Sequence, residues 1–238
     1  MRKSFINTLA VTGLLIATGS ANAETIGVNF GSERRAVGPA QSAGVIAQTN
    51  WNNASGPTAI VTDVNNGAGA ATTVDVEWAS RNTWKTQAAN GDGNTNMMHG
   101  YLDDGNGGFS VTVSEIAYAT YDVYIYLSTD MKKGAYTNTA TINGGTQYYA
   151  KTHVSKYKPV TSLIQATGTT IPTPTVNANY ILFTGVTGSS FTIDGAKKAG
   201  NNRSTIAGFQ IVESVAIPEP ASLVLLSLGG LTMLKRKK

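Results

Sequence analysis

Polar and apolar positions in the middle of the chain alternate with a period of two. In "YDVYIYLS", residues 121–128, Tyr121, Val123, Ile125 and Leu127 fall on one face, and Asp122, Tyr124, Tyr126 and Ser128 on the other. Such alternation with β-branched and aromatic residues predicts a strand half-buried in a sheet. "FSVTVSEI", residues 109–116, and "TTVDVEW", residues 72–78, alternate in the same way. The latter puts Trp78 on the face of Val74 and Val76, which makes it a core residue. "TIGVNFG" (25–31), "YILFTGV" (180–186), "SFTIDGA" (190–196) and "AGFQIVES" (207–214) predict further strands. Between them lie clusters such as "NNASGP", "VNNGAGA" and "DDGNGG". Gly and Asn tolerate the left-handed backbone that tight turns require. "INGGTQYY", residues 142–149, predicts a hairpin tip. No stretch between Glu24 and Ser214 keeps helical periodicity for three turns, and "SAGVIAQTNWNN" is left open between a loop and a short helix. The expected fold is therefore all-β, an antiparallel β-sandwich of jelly-roll type.

The two ends of the chain break this pattern. Arg2 and Lys3 precede a short apolar core, "LAVTGLLIA", and then "ANA". Small residues at Ala21 and Ala23 mark a secretory signal peptide over residues 1–23, cut before Glu24 by signal peptidase. At the other end, residues 221–234 form an uncharged apolar run of fourteen residues. As a helix it would be roughly 21 Å long, short of the roughly 30 Å hydrocarbon core. Lys235, Arg236, Lys237 and Lys238 follow it as a membrane stop. Pro218 and Pro220 hold the approach extended. The expected organisation is a signal peptide at 1–23, one β-sandwich domain at 24–214, and a linker with a short apolar helix at 215–238.

Pro218, Glu219 and Pro220, the apolar run and the basic end stand in the order of a PEP-CTERM sorting signal, and the tail resembles that family. The resemblance covers about 21 residues. It implies an exosortase substrate in a Gram-negative bacterium that makes exopolysaccharide. Such a protein is exported, held at the membrane by its tail, cut near Pro218–Pro220, and passed to the cell surface or matrix. The body is similar, through "YDVYIYLS", "YILFTGVTGSSFTID" and "IAGFQIVES", to galactose-binding-like jelly-roll domains. This likeness implies a fold and no ligand.

Charge then takes on a different meaning. The whole chain is formally +4. Six of its eighteen Lys and Arg residues and one of its fourteen acids, Glu219, lie in the two terminal signals. The body is left with twelve positive and thirteen negative charges, which gives no case for nucleic-acid binding. The chain has no cysteine. That excludes disulfides and thiol chemistry, so an exported body must be held by its core alone.

Catalytic signals are sparse. No Gly-x-Ser-x-Gly or phosphate-binding loop is present. His99 and His153 are the only histidines, and neither has a catalytic neighbour in sequence. A glycan-active enzyme would need two converging carboxylates, which spacing does not reveal. "DGNTN" sets Asp92, Asn94 and Asn96 at alternate positions, as a calcium loop begins, but Met97 stands where an EF-hand needs Gly. A looser calcium site using Asp92, Asn94, Asp103 or Asp104 stays open; no other cofactor is expected. Trp51 and Trp84 lie in Asn-containing loops and are the candidates for stacking on sugar rings. The expected role is that of a non-enzymatic, structural or adhesive matrix protein, with a carbohydrate-binding module as the alternative.

Overall fold

The computed structural model describes residues 23–103, 107–130, 137–152, 158–170, 177–195 and 205–214. The expected linker and sorting tail, and the expected leader before Ala23, lie outside them. The first half of the chain supplies β1 (Thr25–Phe30), β2 (Asn52–Ala54), β3 (Thr58–Val61), β4 (Asp75–Ala79), β5 (Asn82–Lys85), the short helix α1 (Gly93–Met97), β6 (Gly100–Asp103) and β7 (Phe109–Ser114). The second half supplies β8 (Thr120–Tyr126), β9 (Thr137–Ile142), β10 (Tyr148–Thr152), β11 (Gln165–Ala166) and β12 (Asn177–Ala178). It closes with β13 (Tyr180–Thr187), β14 (Phe191–Gly195), β15 (Thr205–Ile206) and β16 (Gly208–Glu213).

Two sheets pack face to face. One has six strands in the order β11-β13-β8-β16-β1-β2, and the other seven in the order β12-β10-β9-β14-β7-β4-β3. This is the expected all-β sandwich. The sheets are mixed, however: β1–β2, β11–β13 and β10–β12 are parallel pairs, and each involves an outermost strand. The interior of both sheets is antiparallel, as between β8 and β16 or β4 and β7. The 142–149 hairpin forms as predicted. Asn143 and Gly144 both take positive φ, at 51° and 65°, and β9 and β10 pair on either side.

Period-two alternation builds the core. Phe109, Val111 and Val113 of β7, Val76 and Trp78 of β4, and Tyr121, Val123 and Ile125 of β8 all turn inward into one apolar cluster. Aromatic rings bridge the gap between the sheets. Phe30 meets Trp78 edge-on at 5.5 Å and Phe209 at 6.1 Å, and Phe191 meets Phe209 edge-on at 6.4 Å and Tyr121 at 5.8 Å.

The outer face of the six-stranded sheet is also covered. Tyr124, Tyr126 and Trp51 are buried there with Met97, Met98 and Tyr101 in a second apolar cluster. The connection between β1 and β2 folds back over this face and is pinned by hydrogen bonds. The Tyr126 hydroxyl accepts from the Val45 N–H at 2.8 Å and donates to Gln210 Oε1 at 3.0 Å. Gln210, fully buried, donates to the Ile46 carbonyl at 2.6 Å and to Gln48 Oε1 at 2.7 Å. Burial pushes the Tyr126 phenol above its ordinary pKa. Gly27 makes the close packing feasible, since a Cβ there would stand 2.8 Å from Trp51 Cδ2. The open choice for "SAGVIAQTNWNN" thus resolves to a loop with an isolated Ala43–Gln48 bridge, leading into β2.

Replacing Phe209 with Ala removes a ring that contacts both Phe30 and Phe191. Deleting a buried Phe costs about 3–5 kcal/mol. Chemical denaturation is expected to show a loss in that range with an unchanged denaturant slope.

Candidate functional site

A third sheet, β15-β6-β5, carries the exposed aromatic surface. Along β5, Thr83 turns inward while Trp84 turns outward. Trp84 remains 45% exposed. Its indole N–H donates to Asp130 Oδ2 at 3.3 Å. The register partner of Trp84 on β6 is Tyr101, whose hydroxyl accepts the Asp130 backbone N–H at 2.9 Å. Residue 130 is therefore held twice, once through its carboxylate and once through its amide. The result is a ring of fixed position with a carboxylate at its edge and a solvent-facing surface. A sugar ring is apolar on its C–H face and polar at its hydroxyls, so a flat ring beside an acceptor suits it chemically.

Trp51 does not share this exposure. It is 4% exposed, packs edge-on against Tyr126 at 6.0 Å, and donates its indole N–H to the Gln48 carbonyl at 3.1 Å. Its expected glycan-contacting role rested on Asn-rich surroundings, and those asparagines serve the backbone instead. Asn52 binds the Gly27 and Asn65 carbonyls, and Asn53 binds both polar backbone groups of Val37. Trp51 is a core residue of the second cluster.

The "DGNTN" run is likewise a helix start where a cation loop was weighed. Asp92 is the N-cap of α1, and its side chain accepts the Thr95 N–H at 2.8 Å. Asn94 Oδ1 accepts the Gly44 N–H at 2.8 Å. Such caps satisfy donors that the first helical turn leaves open. Asp103 is buried on β6, with Asn82 and Thr205 as its register partners. Asp104 and His153 lie outside the described residues. Among the described residues, no group of three His, Cys, Asp or Glu side chains could hold a metal ion. No helix among them is long and apolar enough to cross a membrane.

His99 sits beneath the exposed sheet and is 4% exposed. Its Nδ1 lies 3.2 Å from Thr86 Oγ1. Burial, with the charges of Arg35 and Lys85, pulls its pKa down to about 4. Arg35 donates to the Ala88 and Ala89 carbonyls at 3.0 and 2.8 Å, so it ties the stretch after β5 to the stretch after β1. His99 is thus a neutral structural residue at physiological pH, and its neighbours are cations where a catalytic base would have a carboxylate.

A second polar cluster lies where the chain enters β1. The Glu24 N–H donates to Glu213 Oε2 at 3.4 Å, and the Glu24 carboxylate accepts from the Asn66 side-chain amide. Burial, followed by the charges of Glu24 and Glu213, pushes the Tyr118 phenol above its ordinary pKa. A shallow groove of about 630 Å³ opens beside these residues, lined by Glu24, Thr25, Ser42, Gln48, Asn66 and Gly67 among others. No local sequence signal marks this cluster, because its members are far apart in the chain.

No protein-family model matches the chain, and no curated protein matches it. Among solved structures, the chain is similar to one titled as a crystal structure of the plant receptor-like kinase FER, at 9% identity and a TM-score of 0.40. The match covers 82% of this chain and 43% of the other.

The low pKa of His99 has a stability consequence. Its folded value is depressed, so the unfolded chain binds the extra proton between about pH 6.5 and 4. Stability is expected to be full above pH 6.5 and to fall as pH drops through that window, by about 1 kcal/mol per pH unit from this residue. Unfolding free energies of wild type and His99→Asn, measured from pH 7 to 4, should differ in slope by that amount.

Proposed function

We propose that this is an exported, non-enzymatic protein of the bacterial cell surface or extracellular matrix, with a structural or adhesive role beside exopolysaccharide. Signal peptidase would release it after Ala23, and an exosortase would process the tail at Pro218, Glu219 and Pro220. The observation that carries this reading is the order of the two terminal signals: a leader ending in "ANA", and Pro-Glu-Pro followed by an apolar run and Lys-Arg-Lys-Lys. The boundaries of the body support it. β1 begins at Thr25, two residues after the expected cut, and β16 ends at Glu213, five residues before Pro218. Replacing Pro218, Glu219 and Pro220 with alanines should leave an untrimmed, membrane-retained precursor in a host that carries an exosortase. Trimming and release at the wild-type rate would refute the sorting role.

A carbohydrate-binding reading is favoured by one observation, the Trp84 ring fixed beside Asp130. On a glycan array, Trp84→Ala should weaken any saturable binding about tenfold, the loss of roughly 1.4 kcal/mol of stacking. An unchanged binding profile would remove Trp84 from the surface involved and leave the purely structural role.

A further inference from the structure

The first residue of the proposed mature chain already points its nitrogen at a carboxylate. Glu24 N lies 3.4 Å from Glu213 Oε2. In return, the Glu213 N–H donates to the Glu24 carbonyl at 2.8 Å, so the two residues are locked as neighbours at the end of the β1–β16 pair. Glu213 of β16 faces this nitrogen, and the ionisable groups around it are the Glu24 side chain and Tyr118 from the β7–β8 connection, whose phenol feels both carboxylates. All three are acids. Among the described residues, the recorded ion pair is that of Arg34 with Glu33, so no described Lys or Arg balances Glu24 or Glu213. A second bond also anchors the position, since the Glu24 carboxylate accepts from Asn66. Glu24 is thus held through its carbonyl and its side chain, directly after the Ala23–Glu24 peptide nitrogen.

While Ala23 is attached, that nitrogen is a neutral amide. Hydrolysis changes it: water adds across the Ala23–Glu24 bond, the C–N bond breaks, Ala23 leaves as a carboxylate, and Glu24 keeps its nitrogen as an ammonium. We propose that removal of the leader after Ala23 creates an α-ammonium that forms an ion pair with Glu213, so that processing supplies a cation beside this carboxylate and fastens β1 to β16. This rests on the export reading above. Charge-assisted bonds are shorter and about twice as strong as neutral ones, and the ammonium also gains two donors. The mature fold is then more firmly closed than the precursor, by a contact that only the new terminus can make.

The test begins with the full chain, expressed in a host that exports it. The mass of the released protein should place its first residue at Glu24. A different first residue overturns the ion pair while leaving export intact; an uncut, membrane-bound chain overturns both. The released protein and its Glu213→Gln variant are then melted at low salt and pH 6, with the α-amine either free or selectively acetylated. Glu213→Gln should lower the melting temperature by about 3 °C when the amine is free, and by less than about 1 °C when it is acetylated. At pH 10, above the ordinary α-amino pKa of about 8, the difference should disappear without acetylation. An equal effect of the substitution in the free and acetylated forms overturns the inference, whatever the absolute stability of the variant.

Discussion

The structure depends on a chain of aromatic rings that crosses between the two sheets. Trp78 of the seven-stranded sheet meets Phe30 of the six-stranded one; Phe30 meets Phe209, Phe209 crosses back to Phe191, and Phe191 meets Tyr121. With no cysteine in the chain, no covalent tie can hold the layers together, and apolar burial must do so. Five large rings in contact concentrate that burial, because each removes far more surface from water than an aliphatic side chain. They also fix the register of the layers, since edge-on contacts tolerate little sliding.

The second layer obeys a different rule. The face of the six-stranded sheet that carries Tyr124 and Tyr126 is covered by the β1–β2 loop together with α1 and Tyr101 of β6. A loop brings unpaired backbone groups with it, and each must find a partner when buried. Gln210 and Tyr126 provide those partners for Val45 and Ile46. This explains a glutamine with no exposed surface between Phe209 and Ile211 in the middle of β16. Trp51 then fills the space over Gly27, where the missing side chain leaves room.

Much of the sandwich was legible because period-two alternation marks one face as inward. All seven predicted strands are present, Trp78 is in the core, and the Asn143–Gly144 turn joins β9 to β10. The cover on the outer face was not legible. Tyr124 and Tyr126 occupy the polar-side positions of their strand, and alternation alone does not say whether that side meets water or a loop. Short strands such as β3 and β5 escaped because three or four residues show no period. The parallel pairing of the outermost strands β2, β11 and β12 was not legible either, since pairing direction depends on where a loop returns, which composition does not encode. The site was half legible. Trp84 was expected in a loop and lies instead on β5, exposed as expected, but Trp51 was misjudged because the side chains of Asn52 and Asn53 clamp backbone groups over a buried ring. Asp130, forty-six positions away from Trp84, has no local signal linking it to that ring.

The antiparallel pairing of the first and last strands also sets a direction for the whole body. Thr25 lies opposite Val212, so both ends of the domain emerge side by side at one pole. β8 runs away from that pole, from Tyr121 beside Glu213 to Tyr126 beside Gly208, and Asp130 with Trp84 lies beyond its far end. The body therefore has two distinct poles along the direction of β8. The chain enters and leaves the described body at one pole, and the pairing of Trp84 with Asp130 lies past the opposite end of β8.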